Sequence, residues 1–265
     1  MAKRRKRLKR KRRSYYYEAP WVPGGVYHVY SSAVEPNRLF GHPDHHQFFV
    51  ELLRDRIACF AEVFAYALLI NHFHVAVRLP SEAWLRADIL SRPPDERTAK
   101  EEGWLRGEVS YGQLVGDYWN ALTSLYARYY NPKAERRGTL LNRPLRRIRV
   151  RQDLISRRLI MYIHTNEVKH GVRATYHLAN LRSSFAYYGL ERPDHWLARA
   201  TVLERFGGLE AFYRRHEAYV RKYGTQISAF DEQLYFAPMQ DIPDEAPYVE
   251  FLEDAPPPPG VDAQR

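Results

Sequence analysis

The chain has 265 residues, 45% of them hydrophobic and 14% aromatic, and carries a formal net charge of +10. This composition excludes a wholly disordered protein, and the length allows a substantial core. The single cysteine, Cys59, excludes an internal disulfide framework and favours a reducing compartment. The longest uncharged apolar stretch, residues 63–70, is too short to span a bilayer, and the basic start precedes three tyrosines rather than an apolar segment. We therefore expect a soluble, cytoplasmic protein.

The charge is unevenly distributed along the chain. Residues 1–13 hold ten of the 41 Lys and Arg and no acid, whereas residues 231–265 have a net charge of −8. A block of ten cations cannot fold on itself, so residues 1–20 are predicted to be a disordered basic arm whose partner is a polyanion. A solubility tail is the alternative, although residues 14–230 retain a charge of +8. Residues 231–265 are predicted to be an acidic, proline-rich tail.

The first half of the chain predicts strands on either side of a helix. Residues 24–34 alternate and are rich in Val and Tyr, which indicates a strand, and residues 42–60 have helical periodicity with Asp44 as the N-cap. Residues 62–70 and 72–79 are two β-rich runs that a tight turn at Ile70–Asn71 would pair. Residues 91–108 are polar and contain Pro93 and Pro94, which predicts a loop or insertion.

The second half is predominantly helical. Residues 110–131 predict a helix that ends before Pro132, residues 136–150 a basic hairpin, and residues 153–172 a second long helix. A loop with Ser183 and Ser184 and a helical stretch near 202–223 follow. Strands at both edges of helices, without repeated βαβ units, predict an α+β fold in which helices pack on one face of an antiparallel sheet.

The run LLINHFHVAVRL, residues 68–79, places two histidines in an apolar strand. His72 and His74 lie on one face of that strand, and Phe73, Val75 and Val77 lie on the other. This spacing fits two buried histidines whose hydrogen bonds are satisfied, and it equally fits two ligands of one metal ion. A structural zinc site is disfavoured because no Cys-x-x-Cys is present. Any ion would be bound through nitrogen and oxygen.

A second candidate site is the run MYIHTNEV, residues 161–168, in the second long helix. Tyr162 and Asn166 are four residues apart and therefore share a helical face. A helical tyrosine usually packs its ring, whereas asparagine has a poor helix propensity and tends to be kept for a contact. His164 and His170 are interpreted as surface residues or phosphate contacts.

These segments, in this order, resemble the single-tyrosine HUH transposases, and among them the REP-associated tyrosine transposases and their longer relatives. The resemblance is carried by AYALLINHFHVAVR, YIHTNEVKHG and NLRSSFAYYG and extends over about residues 24–220. Two positions differ from the family pattern. Ile70 and Glu167 stand where the family usually has proline.

The resemblance implies an HUH or ferredoxin-like core at residues 21–190 and a helical C-terminal extension at 191–230. It implies that Tyr162 is the nucleophile and that His72, His74 and Asn166 bind a divalent ion, Mg²⁺ or Mn²⁺. The implied activity is cleavage and strand transfer of single-stranded, hairpin-bearing DNA through a 5′-phosphotyrosine. The implied location is the cytoplasm, in association with the nucleoid. The sequence does not decide between a monomer and a homodimer.

A dense basic segment adjoins the tyrosine helix and is predicted, as a group, to contact DNA phosphates. Its arginines are Arg136, Arg137, Arg143, Arg146, Arg147, Arg149 and Arg151. Two other functions are compatible with the sequence. One is a catalytically silent nucleic-acid-binding protein derived from a transposase, and the other is a metallohydrolase that does not use Tyr162.

Overall fold

The computed structural model describes residues 19–34, 36–142, 144–150, 153–169, 183–190 and 196–223. The predicted acidic tail and residues 1–18 of the predicted basic arm lie outside this part of the chain, as do Arg143, Arg151 and His170. The described strands are β1 (Val26–Ser32), β2 (Glu62–Leu69), β3 (His72–Arg78) and β4 (Arg146–Val150). They form one sheet in the order β2-β3-β1-β4.

All three strand pairings are antiparallel, and the predicted turn at Ile70–Asn71 joins β2 to β3. Helices pack against this sheet, which confirms the predicted α+β class. The central strands β1 and β3 are each buried over five consecutive residues. Successive side chains of a strand point to opposite faces, so a run of consecutive buried residues needs a covering layer on both faces of the sheet.

Helices accordingly contact the sheet from both sides, where the sequence predicted one. On the face that carries Phe73, helix α1 (Pro43–Leu53) packs through Phe49, whose ring centroid lies 4.9 Å from that of Phe73. Helix α4 (Tyr111–Lys133) lies behind α1, with Tyr126 edge-on to Phe49 at 5.1 Å. Helix α5 (Asp153–Lys169) contacts β2 and β3 and lies over the face that carries His74.

The segment between β3 and α4 contains α2 (Glu82–Ser91), a 3₁₀ turn (Pro94–Glu96) and α3 (Ala99–Leu105). The 3₁₀ turn and α3 lie within residues 91–108, which were predicted to be a loop or insertion. Helix α3 begins with a capping box, in which Thr98 Oγ1 accepts from the Glu101 amide and the Glu101 carboxylate accepts from the Thr98 amide. This box satisfies two backbone donors that a helix start leaves open, which offsets the poor helix propensity of the segment.

Two helix boundaries also differ from those predicted. Helix α1 is capped by His42, whose side chain accepts from the Asp44 amide, and it continues into a π-helical turn (Arg54–Ala58). Helix α4 includes Pro132 in its last turn.

The segment 136–150 does not form the predicted hairpin within its described residues. Its C-terminal part is β4, which pairs with β1, and Leu141 forms an isolated bridge with Ala33 just beyond the end of β1. Both parts of the segment therefore add to β1, because an unpaired β1 edge offers backbone hydrogen bonds to both.

The C-terminal part packs beside the outer edge of β2. A 3₁₀ helix (Ser184–Gly189) is followed by α6 (Arg199–Phe206) and α7 (Leu209–Tyr223), which are separated by Gly207 and Gly208. Both glycines have positive φ, 82° and 101°, a conformation that non-glycine residues rarely adopt. The helices expected within 191–230 are thus present, while the division into domains remains a prediction. None of the described helices is long and apolar enough to cross a membrane.

Candidate metal and nucleophile site

Three histidines and a tyrosine of the central strands share the face under α5. In the register of the β1–β3 pair, Ser32 lies opposite His72, Tyr30 opposite His74, and His28 opposite Ala76. Side chains at alternate positions share a face, so His28 and Tyr30 lie on the same face as the histidine pair. The small side chain of Ala76 leaves room for His28 to reach diagonally across to His74.

His74 is fully buried and hydrogen-bonded to a histidine of the neighbouring strand. His28 Nε2 lies 2.9 Å from His74 Nδ1, and the two rings are nearly parallel, with centroids 5.0 Å apart. Burial lowers the pKa of His28 to about 3, because a charged imidazole would lose its hydration there. His28 is therefore neutral near pH 7, and one of its ring nitrogens carries a lone pair.

His72 lies at the start of β3 and is partly exposed. Its Nδ1 is 2.7 Å from Oδ1 of the preceding Asn71, and its ring is perpendicular to that of His74 at a centroid distance of 5.0 Å. Both histidines are thus anchored through Nδ1. An ion held by the pair would be bound through the two Nε2 atoms.

Tyr162 stands over this histidine cluster. Its ring is edge-on to His28 and His74, with centroids 5.9 and 5.8 Å away, and the residue is 4% exposed. The packing of α5 on β2 and β3 brings these side chains together from segments almost ninety residues apart. The predicted nucleophile and the predicted His74 ligand are therefore direct neighbours.

Asn166 lies one turn after Tyr162 and is 2% exposed. Its Nδ2 finds no hydrogen-bond partner among the described residues. A buried amide without a partner costs free energy, so such a group indicates a contact supplied by something else. Because an amide Nδ2 only donates, this observation fits a contact between Asn166 and an acceptor such as a phosphate oxygen.

The donor set is compatible with a divalent ion that prefers nitrogen and oxygen ligands. No group of three or more His, Cys, Asp or Glu side chains that would hold a metal occurs in the described ranges. Among the described residues, a third protein ligand beside His72 and His74 would be a donor such as the Asn166 amide oxygen. Two neutral imidazoles and a neutral amide would leave the charge of the ion available to a phosphate.

Because side chains alternate along β4, its arginines lie on different faces of the sheet. Arg146 is exposed, and its guanidinium carbon lies 6.0 Å from the ring centroid of Tyr30, on the histidine face. Arg147 and Arg149 lie opposite Val29 and Tyr27, so Arg149 and the guanidinium of Arg147 are on the other face.

Two arginines of the basic segment make hydrogen bonds that stabilise the local structure. Arg147 donates to the Ala19 carbonyl at 2.6 Å and lies over the Trp21 ring, and Arg136 donates to Asn131 and to the Thr139 carbonyl beyond the end of α4. Arg137, Arg146 and Arg149 are exposed.

His164 is buried, which corrects its assignment to the surface. Its Nε2 lies 2.7 Å from Ser184 Oγ and its Nδ1 lies 2.9 Å from His216 Nε2. His216 Nδ1 donates to the Phe212 carbonyl at 2.7 Å, and the Tyr66 amide donates to Ser184 Oγ at 2.9 Å. This Ser184–His164–His216 network joins α5 to β2, the second 3₁₀ helix and α7.

Burial lowers the pKa of His164 well below its usual range and the pKa of His216 to about 3. Ser184 and His216 are fully buried. The network therefore has no access to a substrate and acts as a structural connection.

Comparisons with known proteins give one structural likeness. The chain is similar to a solved REP-associated tyrosine transposase bound to a REP hairpin, with 16% sequence identity, coverage of 64% of this chain and 82% of the other, and a TM-score of 0.43. No family model and no curated protein matches the sequence.

His28 and Tyr30 were not predicted as site residues. Their signal is the run VYHVY, in which the buried Val29 separates His28 from Tyr30, so that the two share one face of β1. This run indicates a site only once β1 is known to lie beside β3.

Proposed function

We propose that this protein cleaves and rejoins single-stranded, hairpin-bearing DNA with Tyr162 as the nucleophile. One observation carries the proposal: Tyr162 packs on His74, beside His72, with Asn166 one helical turn further on. The same residues carry the resemblance to single-tyrosine HUH transposases. Two separate sequence motifs thus meet at one place in the fold.

The chemistry follows from the phenol. Tyr162 Oη would lose its proton and attack the scissile phosphorus, while the bond from phosphorus to the 3′-oxygen breaks. The products are a 5′-phosphotyrosine and a free 3′-hydroxyl. Attack of another 3′-hydroxyl on the phosphotyrosine would reverse these bond changes and release Tyr162, joining two strands without an external energy source.

His72, His74 and Asn166 would hold Mg²⁺ or Mn²⁺. The ion, when bound, supplies Lewis-acid polarisation of the scissile phosphate. The protein side chains orient the reaction. His28 and His74 support the ring of Tyr162, and α5 fixes its distance from the histidine pair.

Positive charge would guide the strand to this face. Arg146 lies beside Tyr30, where its guanidinium would meet a phosphate while the ring offers a stacking surface for a base. The basic arm would add charge beside β4, because Ala19, the first described residue, is hydrogen-bonded to Arg147 of β4.

The test is a covalent-adduct assay with Tyr162→Phe. Wild-type protein, incubated with Mg²⁺ or Mn²⁺ and hairpin-bearing single-stranded DNA, should give a protein–DNA adduct that survives denaturation, and Tyr162→Phe should give none. Tyr129→Phe is the matched control, because Tyr129 stacks on Phe48 of α1 and lies on the other side of the sheet. Adduct formation by Tyr162→Phe would refute the assignment of the nucleophile.

A catalytically silent DNA-binding protein is the second candidate, and the 4% exposure of Tyr162 favours it. Such a protein would bind the hairpin in a salt-dependent way and give no adduct with either ion. Strand transfer by the wild-type chain would exclude it.

A further inference from the structure

The hydrogen bond between His28 and His74 has two possible proton arrangements. In the first, His74 Nδ1–H donates to the lone pair of His28 Nε2, and the lone pair of His74 is then on Nε2. In the second, His28 Nε2–H donates to His74 Nδ1, and His74 Nε2 then carries a proton. Only the first arrangement leaves His74 able to bind a cation without losing a proton.

We propose that His28 is a positioning residue that accepts the Nδ1 proton of His74 and thereby fixes His74 with its lone pair on Nε2. This inference deepens and rests on the proposed function, in which His74 is a metal ligand. The contact itself is fully buried at 2.9 Å, with nearly parallel rings, so both imidazoles have a defined orientation.

The neighbouring His72 shows the same arrangement with an unambiguous acceptor. Its Nδ1 faces the Asn71 side-chain oxygen at 2.7 Å, and an oxygen of this kind only accepts. The neutral ring of His72 therefore has its proton on Nδ1 and its lone pair on Nε2. The first arrangement at His74 leaves a lone pair on Nε2 of both histidines, and these are the two atoms through which the pair would bind an ion.

A histidine suits this buried position better than the carboxylate that often supports a metal-binding histidine. His28 is fully buried between Tyr30, at a centroid distance of 4.9 Å, and Tyr162. A carboxylate there would lose its hydration without a cation to pair with in the ion-free protein. A neutral imidazole supplies the acceptor lone pair and adds no negative charge next to a site that must receive a phosphate.

The inference is tested first in the ion-free wild-type protein. Two-bond ¹H–¹⁵N correlation spectra distinguish protonated from unprotonated ring nitrogens, and the signals of His74 are identified by their loss in His74→Gln. We expect a protonated Nδ1 and an unprotonated Nε2 for His74. The reverse assignment would overturn the proposal, whether or not the protein cleaves DNA.

Two variants of His28 then separate positioning from packing. His28→Gln keeps an acceptor oxygen and should preserve the His74 tautomer and the Mn²⁺ affinity measured by calorimetry. His28→Phe keeps an aromatic ring without an acceptor and should weaken Mn²⁺ binding about 10- to 100-fold. Equal Mn²⁺ affinity of His28→Phe and wild type would contradict the proposal.

Failure of the proposed function has a different signature. If Tyr162 forms no adduct while the His74 tautomer is as expected, the nucleophile assignment is wrong and the role of His28 stands.

Discussion

At the scale of single residues, the candidate site is built without carboxylates. His28, His74 and Asn166 are all buried, burial lowers the pKa of His28 and keeps it neutral near pH 7, and His72 is the part of the cluster that reaches solvent. In such a site the positive charge would come from the bound ion. The affinity of the site for an ion therefore depends strongly on each donor.

Asn166 gives a prediction at this scale. Replacement Asn166→Ala removes the amide and should raise the Kd for Mn²⁺ about tenfold or more. Asn166→Asp buries a carboxylate, which should lower the thermal midpoint without Mn²⁺ and make the midpoint rise more steeply with added Mn²⁺ than in wild type. Calorimetric titration and thermal denaturation measure these effects.

Asn120→Ala is the matched control, because Asn120 is an exposed helical asparagine on α4. It should leave Mn²⁺ binding unchanged. An unchanged Mn²⁺ affinity in Asn166→Ala would remove Asn166 from the ligand set.

At the scale of elements, helix α5 is fixed from two directions. Tyr162 contacts the histidine face of the sheet, and His164, two residues later, joins the Ser184–His164–His216 network. Residues two apart on a helix point to different sides, so these contacts hold α5 against both the sheet and α7. The position of the candidate nucleophile therefore depends on C-terminal elements.

The network predicts a pH-dependent stability. Because the folded-state pKa of His216 is about 3, below the unfolded value of 6.5, the unfolded state binds more protons as pH falls. The stabilisation of the folded state by neutral His216 is complete above pH 6.5. It is lost as the pH falls below that value toward the folded-state pKa. For His216 alone the free energy of unfolding should decrease by about 2 kcal/mol between pH 7.5 and pH 5.

Denaturant titrations at several pH values test this prediction. His216→Gln removes the titrating group. Between pH 7.5 and pH 5, the free energy of unfolding of this variant should therefore fall by about 2 kcal/mol less than that of the wild type. Tyr219→Phe, at a buried position about one turn later on α7, is the control and should keep the wild-type slope. The same slope in His216→Gln and wild type would show that His216 is not held neutral.

At the scale of the whole molecule, positive and negative charge are concentrated at opposite ends of the sequence. The ten cations of residues 1–13 precede Ala19, which is hydrogen-bonded to β4, and the acidic residues 231–265 follow α7. The arm therefore joins the folded part at the sheet edge that also carries Arg146 and Arg149. We expect the arm and β4 to contribute to one electrostatic surface.

Deletion of residues 1–13 tests this arrangement. The slope of log affinity for single-stranded DNA against log salt concentration should become less steep, by up to about 7 if all ten cations contact phosphates. Fluorescence anisotropy at a series of NaCl concentrations gives both slopes. Deletion of residues 231–265 should instead increase affinity, and an unchanged slope without the arm would show that the arm does not contact DNA.

The strands β1, β2 and β3, the long helices α4 and α5 and the α+β class are predictable because apolar periodicity over seven or more residues is a strong local signal. Helix α3 was missed because its signal is a single capping box in a polar segment with two nearby prolines. The pairing of 136–150 with β1 was missed because a basic run with a central turn motif satisfies its backbone equally well as a hairpin.

The sequence by itself determined the histidine pair, the shared helical face of Tyr162 and Asn166, and the separation of basic and acidic ends, since these follow from local spacing and composition. Only the tertiary structure decided that Tyr162 lies on His74, that His28 holds His74 through Nδ1, and that His164 is buried rather than exposed. These contacts join residues 20 to 88 positions apart in the sequence. Such contacts depend on strand register and helix packing, which no local pattern encodes.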